Sequence, residues 1–114
     1  MPAMTVADAR LALNERLAEL DRLDRLSAEG REPVTLQQDS VGRLSRMDAM
    51  QQQAMAQAER RRRQAERARI AAAIARLEDG EWGFCMTCGE TIAQGRLAND
   101  PAVANCIGCA SANQ

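Results

Sequence analysis

The chain reads as a mainly α protein: an antiparallel two-helix coiled-coil hairpin followed by a small zinc-finger lobe with four cysteine ligands. Three observations lead there. Leucines recur at helical spacing through the first thirty residues, a long alanine-rich segment follows a proline-containing break, and four cysteines stand in two matched pairs near the end of the 114-residue sequence.

The first helix is expected over about residues 5–29. Val6, Leu13, Leu17, Leu20 and Leu23 fall at spacings of three, four and seven, with charged residues between them. Thr5 and Asp8 stand in capping-box positions, and Gly30 offers a stop. Residues 30–40 break the period, and Pro33 would fit poorly inside a helix, so this stretch is the turn region. A second helix is expected over about residues 40–79, starting near Asp39, Ser40 or Ser45 and ended by Gly80. Along it Met47, Ala54, Ala58, Ala65, Ala68, Ala72 and Ala75 follow a heptad-like period, interrupted by Gln51 and Arg61. That alanine seam is expected to face the leucines of the first helix. Ile70, Ile74 and Leu77 form a second stripe, expected to join the hairpin to Trp82, Phe84 and Ile92 of the lobe. The domain boundary is placed accordingly, with the hairpin in 1–80 and the finger and its tail in 81–114.

Cys85-x2-Cys88 and Cys106-x2-Cys109 are separated by 17 residues, and there is no histidine. Two such knuckles can bring four thiolates to the corners of a tetrahedron, the geometry of a closed structural zinc site. Gly89 can turn backbone N–H groups toward the sulfurs, whereas Ala110 at the matching place lacks that freedom. Iron shares the ligand set, and two disulfides or a redox pair are further alternatives. The absence of a signal-peptide pattern argues against disulfides, and no strand–helix setting supports a redox pair. With four protein ligands no position is open for water, so one structural zinc is expected and catalysis is not.

Composition narrows the function classes. Only Trp82 and Phe84 are aromatic, and no apolar run approaches a membrane span, so a soluble, cytoplasmic protein is expected. All 15 basic residues are Arg, and they are unevenly placed. Residues 1–40 hold five against eight acids, 41–80 hold nine against five, and 81–114 hold one against three. The run Arg60 to Arg63 points in four directions around a helix, and Glu59 and Glu66 partly neutralise it. A solvated helix face or an acidic protein partner fits it better than sequence-specific duplex binding.

The stretch from Leu77 to Cys109 resembles the DksA/TraR family of C4-type zinc-finger proteins, which regulate bacterial RNA polymerase. The resemblance rests on Trp82-Gly83-Phe84 before the first cysteine, Cys88-Gly89-Glu90 and Ile92 after it, Arg96-Leu97, and Pro101 before the second pair. It implies a coiled coil that enters the polymerase secondary channel and alters promoter-complex lifetime without sequence-specific DNA contact, in a protein that is not an enzyme. Family tips carry Asp-x-x-Asp-x-Ala; the closest run here is Ser45-Arg46-Met47-Asp48-Ala49-Met50, so Asp48 matches the second acid, and Asp39 is another candidate. Ser45 and Ala49 belong to the same candidate tip, and Arg69, Arg76 and Arg96 are candidates for docking an acidic surface. Some members respond to guanosine tetraphosphate through basic residues before the proline and after the last cysteine. Asp100 and Ala110 occupy those places here, so a weak response is expected. A zinc-finger DNA-binding module and a structural adaptor that oligomerises through the alanine seam are the alternatives, with a monomer favoured over a dimer.

Overall fold

In the computed structural model, which describes residues 3–30 and 43–112, four helices follow one another: α1 Val6–Gly30, α2 Arg43–Asp79, α3 Gln94–Asn99 and α4 Ile107–Ala112. The expected turn region beyond Gly30, with Asp39, lies outside the described residues, as does any start of the second helix before Arg43.

Local chemistry sets the helix ends. The Asp8 N–H donates to Thr5 Oγ1 at 3.0 Å, and the Thr5 N–H donates back to Asp8 Oδ2 at 3.2 Å. Two amides that the first turn cannot satisfy internally thus find side-chain acceptors. At the other end of α2, Gly80 takes φ +76°. Its N–H reaches the Leu77 carbonyl at 3.4 Å and the Glu81 N–H reaches the Arg76 carbonyl at 2.8 Å, the paired bonds of a Schellman motif.

The chain sorts into two compact units, Met1–Leu17 with Arg67–Gln114, and Ala18–Glu66. The first unit holds the earlier part of α1 with the later part of α2, and the second holds the later part of α1 with the earlier part of α2, as in an antiparallel helical hairpin. The end of α2 falls in the same compact unit as the cysteine lobe.

In the first unit Ala9 and Leu13 of α1 and Ile70, Ala73 and Leu77 of α2 are buried. In the second unit Leu20 is fully buried, and Arg63 donates its Nε to Asp24 Oδ1 at 2.6 Å and its Nη2 to Ser27 Oγ at 3.2 Å.

The alanine seam is not the packed face. Met47, Ala54, Ala65, Ala68, Ala72 and Ala75 are exposed, and only Ala58 of that set is half-buried. The inward positions of α2 include Ala49, Ala56, Arg63, Ile70 and Leu77, seven residues apart, and Glu66, Arg67, Ala73, Ile74 and Arg76 are also buried or half-buried. A heptad does run along the helix, but an arginine whose charge is matched by Asp24 occupies its middle. On α1 Leu13, Leu17, Leu20 and Leu23 turn inward as expected, while Val6 is exposed and Ala9 takes the inward place.

The lobe has its own small core of Cys85, Ile92, Leu97 and Val103, with Trp82, Cys106 and Cys109 packed against it. Phe84 is 47% exposed and does not join α2 to this core as expected. Arg76 makes that connection. Its carbonyl accepts the N–H groups of Glu81 and Trp82, and its buried guanidinium donates to the carbonyls of Ala102 and Val103 at 3.3 and 3.4 Å. Burial among neutral acceptors lowers the pKa of this guanidinium. The Trp82 indole N–H is satisfied by the Pro101 carbonyl at 2.8 Å.

Candidate metal centre

The first cysteine pair sits on a tight hairpin. Phe84 and Thr91 form an antiparallel bridge, the Ile92 N–H donates to the Gly83 carbonyl at 2.8 Å, and the Cys85 N–H donates to the Glu90 carbonyl at 2.7 Å. Turning the chain back so soon requires Gly89 at φ +77°, from which its N–H reaches the Cys85 carbonyl at 2.9 Å. The second pair is built differently. Cys106 precedes α4 and Cys109 lies within it, and the Ala110 N–H donates to the Cys106 carbonyl at 2.9 Å as a helix does. The second pair therefore needs no glycine, and Ala110 is an ordinary helical residue with negative φ.

Both pairs share one feature: the N–H of the second cysteine approaches the sulfur of the first, at 3.5 Å from Cys88 to Cys85 Sγ and 3.5 Å from Cys109 to Cys106 Sγ. The two pairs are tied together by the Met86 N–H to the Ala104 carbonyl at 2.9 Å. As a result all four sulfurs lie within 4.8 Å of one another, with Cys88 and Cys106 at 3.8 Å. Four thiolates each about 2.3 Å from a tetrahedral ion would stand about 3.8 Å apart, so the arrangement fits a metal site.

Charge leads to the same conclusion. The Cys88 N–H holds the Cys85 thiol down at about 6, while the neighbouring thiols of Cys106, Cys85 and Cys88 push Cys109 up to about 12. Four thiolates this close would repel one another unless a cation lay among them. A metal cation held by Cys85, Cys88, Cys106 and Cys109 would supply that compensation, and four protein ligands would leave it no open position.

The remaining sequence-derived candidates do not gather at this centre. Asp48 is exposed on α2, Ala49 beside it is half-buried, and Ser45 belongs to the same helix. Arg60, Arg61 and Arg62 are exposed, whereas Arg63 turns inward to Asp24. Arg69, Arg76 and Arg96 do come together, lining a shallow cleft of about 270 Å³ with Ala102, Asn105 and Ala110. Their guanidinium groups are differently engaged. Arg69 is ion-paired to Asp100 at 2.6 Å, Arg76 is buried on its carbonyls, and Arg96 donates its Nε to the Asn105 carbonyl at 3.0 Å. Sequence reasoning missed Asn105, which has no motif of its own and was identifiable only by its place next to Cys106.

Among the described residues no helix is long and apolar enough to cross a membrane. No family model matches the sequence, and no curated protein matches it. Among solved structures, the chain is similar to the solution structure of the DnaK suppressor protein from Agrobacterium tumefaciens C58, with 26% identity and a TM-score of 0.59. That match covers 97% of this chain and 96% of the other. The likeness therefore extends through the helices as well as the cysteine lobe. Fold, whole-length correspondence and the clustered cysteines together show a DksA-like fold, a helical hairpin followed by a lobe whose four cysteines are placed to hold a metal.

Proposed function

We propose that this protein is a zinc-containing regulator that binds bacterial RNA polymerase through its secondary channel and modulates transcription initiation without reading DNA sequence. The observation that carries the reading is the full-length similarity to a DnaK suppressor protein, which includes both long helices. In this reading the zinc is structural. It compensates four thiolates and fixes the lobe against the end of α2, where Arg76 joins the two.

The protein acts by placement, as a monomer in the cytoplasm, and not as an enzyme. Asp48 is the leading effector: its carboxylate is exposed on α2 and is suited to acting near a catalytic Mg2+ or the basic groups around it. Ser45, Ala49 and Asp39 complete the candidate tip. Arg69 and Arg96 are the candidates for contacting an acidic polymerase surface.

A weak response to guanosine tetraphosphate follows from the cleft. Asp100 places a carboxylate on Arg69 where an arriving phosphate would need a free cation. Its Oδ1 also accepts the Ala102 N–H at 3.1 Å, so the acid is held in place by the backbone.

The test is binding of the zinc-loaded protein to core RNA polymerase, with a transcript-cleavage factor that occupies the secondary channel as competitor. Competitive binding is expected, and Asp48→Ala should still bind but lose the effect on promoter-complex lifetime. Failure to bind, or binding that the competitor does not displace, refutes the channel reading.

A further inference from the structure

We propose that Asn105 is a positioning residue of the metal centre, its carboxamide set beside Cys85 Sγ to donate an N–H to the metal-bound thiolate. The inference rests on the metal reading of the four cysteines and extends it to a side chain outside the ligand set.

Asn105 immediately precedes Cys106, yet its side chain reaches back to the first pair. Oδ1 lies 3.7 Å from Cys85 Sγ and accepts the Thr87 hydroxyl at 3.0 Å. Its main-chain carbonyl is held by Arg96 Nε at 3.0 Å, which anchors the backbone from which the side chain projects. Thr87 lies between Cys85 and Cys88, so the Thr87–Asn105 contact joins the two ligand pairs directly.

A metal ligand is a thiolate and has no proton to give. Oδ1 of Asn105 would then face an anionic sulfur, acceptor against acceptor.

A carboxamide resolves this, because it carries a donor as well as an acceptor. Half a turn about its last bond exchanges oxygen and nitrogen with almost no change of shape. Nδ2 then donates to Cys85 Sγ and to Thr87 Oγ1, which can accept as readily as donate. A carboxylate at 105 would offer only acceptors, and an apolar side chain would offer neither. Hydrogen bonds from groups outside the ligand set commonly tune a metal in this way. Cys85, the buried member of the four, is the sulfur with least access to water as an alternative donor.

The experiment uses the full chain loaded with Co2+ or Zn2+, comparing wild type with Asn105→Asp and Asn105→Leu. The wild-type Co2+ spectrum tests the metal reading itself: absence of tetrahedral four-thiolate bands overturns that reading whatever the variants do. Given those bands, Asn105→Asp should weaken zinc in competition with a chromophoric chelator by about 10–100-fold, the usual cost of losing a supporting partner. Its midpoint for acid-induced zinc release should rise, because protons then compete against a less stabilised thiolate. Asn105→Leu, which keeps the side-chain size but removes the donor, should shift the sulfur-to-cobalt charge-transfer band to lower energy. A role in packing alone would not move that band. Zinc affinities within about twofold of wild type for both variants, with superimposable cobalt spectra, would overturn the proposal. Should the leucine variant fail to fold, the aspartate variant decides by the same affinity and release criteria.

Discussion

Gly80 and Gly89 offer a controlled comparison of what a left-handed residue contributes at two places in one unit. Their φ values are nearly the same, +76° and +77°, and a Cβ built on either would meet no atom within 4 Å. An alanine at either position therefore costs backbone strain alone, about 1–2 kcal/mol. The two substitutions should differ in where that cost appears. Gly89 closes the hairpin whose N–H groups address the cysteines, and folding of such a lobe is inseparable from metal binding. Gly89→Ala should therefore weaken zinc by roughly 5–30-fold, the equilibrium equivalent of that strain. Gly80 ends α2, so Gly80→Ala should appear mainly as loss of stability in urea, with about the same 1–2 kcal/mol and a smaller effect on zinc. Zinc affinity is read by chelator competition and stability by urea denaturation of the zinc-loaded proteins. If Gly80→Ala weakened zinc more than Gly89→Ala, the assignment of Gly89 to metal-site geometry would be wrong.

Three other outcomes follow from the contacts. Arg76→Met keeps the aliphatic stem but leaves the carbonyls of Ala102 and Val103 without this donor, and should lower urea stability by about 1–3 kcal/mol; a neutral result would mean that relief of the buried cation balances the lost bonds. A double-mutant cycle on Asp24 and Arg63, whose side chains are 29% and 13% exposed, should give a coupling of about 1 kcal/mol that persists in moderate salt better than an exposed pair. Thr5→Ala should cost about 1 kcal/mol in thermal or urea unfolding, because the Asp8 amide loses its acceptor.

What the sequence made legible was chemistry at fixed spacing. Thr5 three residues before Asp8, a glycine after the last turn of α2, and two Cys-x-x-Cys pairs each specify local hydrogen bonds within a few residues. All three appear where expected. The packed face of α2 was not legible because alanine is too common along it to mark a side. The inward heptad from Ala49 to Leu77 includes Arg63, which a hydrophobic pattern excludes, and its reason lies 39 residues away in Asp24. The same distance effect hid Arg76. As a basic residue near a cysteine lobe it suggested a surface contact, yet carbonyls 26 and 27 residues further on draw it inward. Asn105 was missed because its significance depends on Thr87 and Cys85, in a segment that only the folded chain brings alongside.

The unequal construction of the two cysteine pairs bears on how the ion enters. Each pair is shaped by its own neighbours, the first by a hairpin and the second by a helical turn, so an ion meets two short chelating arms rather than four independent thiols. What remains to be closed is the chain between the arms, 17 residues from the second cysteine to the third. Closing a flexible loop of that length costs about 2.5 kcal/mol beyond its fixed term. Helix α3 at Gln94–Asn99 shortens the freely moving part and reduces that cost. The rate at which the second arm arrives is thus governed by a segment that contains no ligand, and substitutions that unwind α3 should slow metal capture while leaving both chelating arms intact.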